Sequence, residues 1–245
     1  MAFPKSLIRR AKDAARPALL GVRRDSVTGH LYYRVAGYRL HLRFPEEAIR
    51  ERDRRRTFEE VYFRHYRPRG SDCVVDIGAG IGTEILPLAR EAPGLRYVAV
   101  EIQPWVYECL ALTLAQLPEG FTPFGLAIGG SSEVRITPTR DGQDVSTLGG
   151  GGAVPVAGIG WSDFAARHGI GRVALLKMNV EGAEAELLEH IDLGQVDRVV
   201  VGVHDFRADR GEGEHFRTRA RVEARLAGAG FGMRPVGTDW IYAER

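Results

Sequence analysis

Three clusters of residues have the types and spacing that chemistry requires. The first is VVDIGAGIGTE, Val74 to Glu84, where an apolar run carries Asp76 and glycines follow at 78, 80 and 82. Glycines at alternate positions let a strand turn tightly into a helix and let a ligand lie against the backbone. Dinucleotide sites place their third glycine three residues after the second, whereas position 83 here is threonine. The D-x-G-x-G-x-G spacing suits an adenosyl-sulfonium ligand instead, whose amino-acid end rests on the loop with no pyrophosphate to cradle. Asp76, Gly78, Ala79, Gly80 and Gly82 are therefore candidates for holding a cofactor. Glu84 and Lys177 either shape the cofactor's carboxylate end or pair with neighbouring charges.

The second cluster is YVAVEI, with Glu101 at the end of an apolar run about twenty residues beyond the glycines. A carboxylate there can accept hydrogen bonds from both ribose hydroxyls, which supports an adenosine-containing ligand with Ile102 beside it. The third cluster is LLKMNVEGAEAELLEH, Leu175 to His190. Period-two alternation sets Lys177 and Asn179 on one strand face, and Glu181-Gly182 opens the helix that follows. Further on, His204 closes the apolar run VVVGVH and titrates near neutrality when unperturbed, so it is a candidate base for an acceptor hydroxyl. Glu181, His204 and Asn179 form the candidate catalytic set. His168, His190 and His215 have no metal-ligand spacing, and no metal is expected.

The elements that must position these residues follow from the pattern. From Asp72 the chain alternates strand and helix: CVVDIG, TEILPLAREA, YVAVEI, PWVYECLALTLAQL, a strand through FGLAI, and a polar strand EVRIT. WSDFAARHG reads as helix, VALLKMN as strand, AEAELLEHI as helix and VDRVVVGVH as strand. A helix over about 214–229 and two strands around MRPVG and WIYAE complete the series. Residues 141–152, ending in four glycines, read as a flap or a long surface loop. Repeated strand–helix units predict an α/β fold with a mostly parallel sheet and helices on both faces. Ligands of such sheets lie beyond the strands' carboxyl ends, which would bring all three clusters to one edge.

Ahead of this domain (71–245) lies a basic extension, residues 1–70. It is read as a helix over 4–16, a β-hairpin over Gly29–Phe44 turning at Ala36-Gly37, and a helical stretch over 46–66. The chain's net charge of +2 hides an asymmetry of roughly +10 in the extension against roughly −8 in the domain. The extension either docks on the acidic domain and aids solubility, or touches an anionic membrane (a weak peripheral contact through residues 1–24), a nucleic acid or a phosphorylated substrate. Cys73 and Cys109 lie in apolar runs without metal or redox spacing and read as reduced core thiols. No apolar stretch approaches the roughly 18 residues that span a bilayer, and the cytoplasm is the expected location.

Taken in order, VVDIGAGIGTE, VAVEIQP, LAIGG and LLKMNVEGAEAELLE resemble the FkbM-type family of S-adenosylmethionine-dependent methyltransferases over roughly Thr57–Glu244. The resemblance implies a Rossmann-like class I methyltransferase fold with a seven-stranded sheet. It also implies S-adenosylmethionine as cofactor, S-adenosylhomocysteine as product, and O-methylation of a sugar or other small natural-product or glycolipid-type acceptor. By the same resemblance Gly78, Gly80 and Glu101 hold the cofactor and Ala127 lies near the adenine, while Glu181 and Gly182 match the family's acidic Glu-Gly motif. Asn179 stands where that family usually has aspartate, and EIQP replaces the commoner Glu-Pro-x-Pro. A non-catalytic cofactor-binding or membrane-associated scaffold is the alternative. A nicotinamide-dependent oxidoreductase is disfavoured by the glycine spacing. No specific nucleic-acid partner is expected: Asn179-Val180-Glu181-Gly182 is not the Asn/Asp-Pro-Pro-aromatic run resembling base N-methylating enzymes.

Overall fold

The computed structural model describes residues 20–48, 57–130, 132–137 and 154–245. The helix expected over 4–16, residues 49–56 of the helical stretch, and the segment 141–152 lie outside the described residues. Three short strands come first: β1 (Arg23–Arg24), β2 (Leu31–Val35) and β3 (Tyr38–Leu42), all antiparallel. Ala36 and Gly37 both take positive φ, 52° and 96°, as a two-residue hairpin turn requires. Within 57–66 the chain makes one π turn, Phe58–Tyr62, and no longer helix.

The strand–helix units then follow. They are β4 (Cys73–Ile77), α1 (Ile85–Glu91), β5 (Arg96–Val100), α2 (Pro104–Leu114), β6 (Phe121–Phe124), β7 (Ala127–Ile128) and β8 (Glu133–Ile136). After these come β9 (Val154–Ile159), α3 (Trp161–Arg167), β10 (Leu175–Met178), α4 (Glu184–His190), β11 (Arg198–Gly202) and α5 (Asp205–Asp209). The chain closes with α6 (Arg219–Gly228), β12 (Gly232–Val236) and β13 (Trp240–Glu244).

The central sheet has seven strands in the order β12-β13-β11-β10-β4-β5-β6. All neighbours from β11 to β6 are parallel, and β13 alone runs against the rest. Strand order therefore reverses between β4 and β10, and this switch point is where a ligand crevice opens at the carboxyl edge. Period-two alternation divides the sheet into two cores. Val75, Val98, Leu176, Met178 and Val201 pack with Phe164, Leu188, Val222 and Leu226 on one face. Val74, Tyr97, Leu175 and Val200 pack with Ile85, Leu88, Leu110, Phe58 and Tyr62 on the other. Asp76 and Lys177 have the parity of the second face, and the register sets them side by side across β4 and β10.

The N-terminal hairpin lies against α2. Val35, Leu40 and Leu42 pack with Val106 and Cys109, and the Thr113 hydroxyl accepts the His41 N–H at 3.0 Å. Cys109 is buried and both cysteines are free thiols. No helix among the described residues is long and apolar enough to cross a membrane.

Four element assignments differ from the sequence reading. The FGLAI strand is two: β6 ends at Phe124, and β7 joins a second sheet in the order β7-β9-β8. The break falls at Gly125, where a Cβ would stand 2.7 Å from the Tyr107 ring, so the chain leaves the central sheet under that ring. β9 lies in a stretch to which the sequence reading gave no element; it alternates weakly and is held by pairing with β8. The helix read over 214–229 begins only at Arg219, because Glu214–Phe216 is a separate 3-10 turn. His204 lies two residues past the end of β11, at the start of α5, a helix the sequence reading did not contain.

Candidate active site

The glycine turn joins β4 to α1, with Gly78, Gly80 and Gly82 all at positive φ (83°, 58° and 88°). At Gly78 a second reason for glycine is visible: a Cβ would fall 2.0 Å from the Asn179 carbonyl oxygen. The first turn therefore presses directly on the backbone beyond β10. Gly78 and Ala79 donate their N–H groups to the Val100 carbonyl, at 2.9 and 3.1 Å, which bends the turn over the end of β5.

Glu101 follows β5 immediately and is buried. One carboxylate oxygen accepts the Gly80 N–H at 3.0 Å and the other the Gln103 N–H at 2.9 Å. Burial raises its pKa, and those two N–H groups oppose the rise. The Ile102 N–H also acts on the carboxylate, and of its roughly four lone-pair sites one stays open to a further hydrogen bond. Ile102 and Ala127, 25 positions apart in sequence, meet in one small apolar cluster with Val134, Ile136 and Val156. The first group of predicted residues is thus assembled: turn glycines, Glu101, and an apolar wall from Ile102 and Ala127.

Asp76 and Glu84 both face Lys177, so Glu84 and Lys177 take the charge-pairing placement that the sequence left open. Asp76 is fully buried, and its oxygens accept from the Lys177 ammonium at 2.7 Å and the Tyr97 hydroxyl at 2.7 Å. Glu84 turns its carboxylate inward to the same ammonium, at 2.8 Å. Both acids thus meet the Lys177 ammonium beneath the turn. Burial alone would lower the Lys177 pKa, but Asp76 and Glu84 outweigh it and keep the ammonium charged.

The second group surrounds the turn after β10. Glu181 holds φ 54°, a left-handed conformation costly for a residue that carries a Cβ, and Gly182 follows at φ 107°. The Glu181 carboxylate is 28% exposed, with His204 Nε2 at 3.3 Å and Arg207 Nη1 at 3.0 Å. Behind it, Glu184 is wholly buried and accepts His204 Nδ1 at 2.6 Å as well as the Gly182 N–H. The imidazole is therefore held between two carboxylates, one at each ring nitrogen. Burial would lower its pKa, yet Glu181 and Glu184 together raise it to about 9. Glu181 moves the other way: burial raises its pKa, and His204 and Arg207 lower it further.

Both ring nitrogens of His204, the candidate base of the sequence reading, therefore face carboxylates, and the raised pKa favours the imidazolium at neutral pH. Asn179 belongs to the same group through Gly202: a Cβ there would stand 3.0 Å from Asn179 Oδ1 and 3.3 Å from both His204 and Trp240. The Asn179 carboxamide has no hydrogen-bond partner among the described residues. The two groups meet where Gly78 touches Asn179 and Val180. Sequence reasoning missed Glu184 and Arg207. Glu184 carried a signal, because it stands three and four positions before Leu187 and Leu188 and so shares the apolar face of α4. Arg207 carried none, being one arginine among many. Among the described residues no set of three His, Cys, Asp or Glu is arranged to hold a metal ion.

A sequence model of the family described as "Methyltransferase FkbM domain" matches residues 76–231. The chain belongs to this family. As a methyltransferase domain it takes S-adenosylmethionine as cofactor. Among solved structures, methyltransferase FkbM from Methylobacillus flagellatus KT aligns at 17% identity with a TM-score of 0.51. The alignment covers 76% of this chain and 47% of that one, so the chain spans about half the length of that relative. Fibrillarin from Aeropyrum pernix, described with natively bound S-adenosyl-L-methionine, aligns at 15% identity and TM-score 0.47, covering 89% of this chain and 84% of that one. An O-methyltransferase family protein from Burkholderia thailandensis aligns at 15% identity and TM-score 0.48, covering 82% and 59%. No curated protein matches. The fold shared with the FkbM structure is the Rossmann-like one found above.

The residues present fit this cofactor. The positive-φ turn exposes backbone at the switch point, and Glu101 retains acceptor capacity at the distance in sequence that ribose recognition requires.

Proposed function

We propose that this chain is an O-methyltransferase acting on a hydroxyl of a sugar or another small natural-product or glycolipid-type acceptor, working in the cytoplasm. The observation that carries the reading is Glu181: a strained, partly exposed carboxylate held by two cations at the edge where the glycine turn and Glu101 also lie. Gly78, Gly80 and Glu101 would hold the donor, with Ile102 and Ala127 beside its adenine. When bound, S-adenosylmethionine supplies an electrophilic methyl group on a sulfonium.

The chain's own task is alignment. A carboxylate fixed from behind by His204 and Arg207 points one acceptor at a hydroxyl proton and so aims the oxygen in line. The hydroxyl proton would pass to Glu181 as the oxygen takes the methyl group and the carbon–sulfur bond breaks to leave a neutral thioether; His204 and Arg207 keep the carboxylate ionised and in place until then. Positioning accounts for much of such a rate enhancement, so a strongly basic residue is not required. Asn179, with an uncommitted carboxamide, can donate to or accept from the acceptor's neighbouring hydroxyl.

The test is transfer of labelled methyl to a panel of sugars, glycolipids and phenolic scaffolds by the wild type and Glu181→Gln. The reading expects turnover on a hydroxylated acceptor and a fall of about a hundredfold or more in kcat for the variant, typical of losing a proton acceptor, with donor affinity retained. Full activity in Glu181→Gln, or transfer only to amines, would overturn it. The uncharged Asn179 favours one second reading, a non-catalytic cofactor-binding scaffold, which donor binding without turnover on any acceptor would support.

A further inference from the structure

One ammonium faces two carboxylates inside the fold, beneath the glycine turn. Lys177, Asp76 and Glu84 are all buried, and no second cation among the described residues pairs with either acid. The Tyr97 hydroxyl adds a hydrogen bond to Asp76, and the Tyr62 ring lies 4.9 Å from the ammonium, but neither brings positive charge. With both carboxylates ionised the trio carries one more negative charge than positive where water is excluded, and burial, only partly offset by Lys177, pushes the Asp76 carboxyl above its usual pKa. Such a surplus is costly unless a positive group comes close to it.

Its place gives the surplus a purpose. Asp76 stands two residues before Gly78, and Glu84 two residues after Gly82, so one side chain from β10 fastens both ends of the turn. A cation resting on that turn would complete the charge balance, whereas a neutral ligand of the same shape would not. The methyl donor is a sulfonium, and the product left after transfer is an uncharged thioether.

We propose that the buried Asp76–Lys177–Glu84 trio is the charge selector of the cofactor site, favouring the cationic donor over its thioether product. Glu84 and Lys177 are in this sense positioning residues that act through the turn. This inference rests on the cofactor reading above and adds a specificity to it.

The experiment is calorimetric titration of wild type, Glu84→Gln and Glu84→Asp with S-adenosylmethionine and S-adenosylhomocysteine separately. In Glu84→Gln the side-chain amide oxygen still accepts from Lys177, so the turn stays fastened while the surplus charge is gone; Glu84→Asp keeps the charge. The ratio of donor to product affinity should fall roughly tenfold in Glu84→Gln, the effect of one unit charge across several ångströms of protein, and stay at the wild-type value in Glu84→Asp. A purely structural role would weaken both ligands alike. An unchanged ratio in Glu84→Gln overturns this inference alone, as does an equal loss for both ligands. A wild type that binds neither compound overturns the cofactor reading and this inference with it.

Discussion

Replacing His204 by glutamine removes a single buried cation, and the consequence for stability can be worked out with its sign. In the folded chain the imidazole pKa is about 9, against 6.5 for an ordinary histidine, because Glu184 and Glu181 face its two nitrogens. A raised pKa means that the folded state binds the proton more tightly than the unfolded chain. The contribution is fully present below pH 6.5 and disappears as pH rises through about 9. At 1.36 kcal/mol per unit, the shift corresponds to about 3 kcal/mol, with a slope near 1.4 kcal/mol per pH unit inside that window. The ring is only 8% exposed, so solvent screening reduces this little. Denaturant unfolding of wild type and His204→Gln, at pH values from 6 to 9.5, measures the difference; titrating groups remote from Glu181 and Glu184 cancel between the two proteins. The stability advantage of the wild type should shrink steadily by about 3 kcal/mol across that range. A difference that is flat, or that grows with pH, would refute the picture of an imidazolium clamped between two acids.

Three further outcomes follow from the same geometry. Gly78→Ala forces backbone against backbone at positive φ and should cost about 3 kcal/mol or more by denaturant unfolding, whereas Gly125→Ala meets only the movable Tyr107 ring and should cost about 1–2 kcal/mol. Thr113→Val leaves the His41 N–H without its acceptor and should lower stability by about 1–2 kcal/mol, loosening the hairpin from α2 as read by hydrogen exchange at Leu40 and Leu42. Arg207→Met removes one of the two cations that depress the Glu181 pKa, so the acid limb of the pH–rate profile should move to higher pH, with donor affinity unchanged.

Much of the fold was legible because the central strands are short apolar runs bounded by turn residues, and those runs cannot be buried any other way. The hairpin at Ala36-Gly37 and the strands of the switch point were read with nearly their observed limits. The strand through FGLAI was not read as two, since nothing local distinguishes Gly125 from a strand interior; the Tyr107 ring that ends it comes from α2. β9 escaped because its burial comes from β7 and β8, elements remote in sequence.

The site shows the same division. Glycine spacing announces the turn, and residue type announces Glu101, because both requirements are local. The state of His204 is not local: its charge depends on Glu181 and Glu184, brought to it by a helix across the strand edge. Asp76 and Glu84 could be named as important from the motif, but that Asp76 stands beside Lys177 was decided by the register of β4 against β10.

The central claim is that the turn from Gly78 to Gly82, with Glu101, binds S-adenosylmethionine. Calorimetric titration with S-adenosylmethionine, S-adenosylhomocysteine and NADH, on wild type and Glu101→Ala, tests it most directly. The account predicts binding of the two adenosyl compounds at around micromolar dissociation constants and none of NADH. In Glu101→Ala, affinity should fall by about ten- to a hundredfold, the loss of a hydrogen bond to a charged acceptor. Well-folded wild type that binds neither adenosyl compound, or a Glu101→Ala variant that binds them as tightly as wild type, would contradict it.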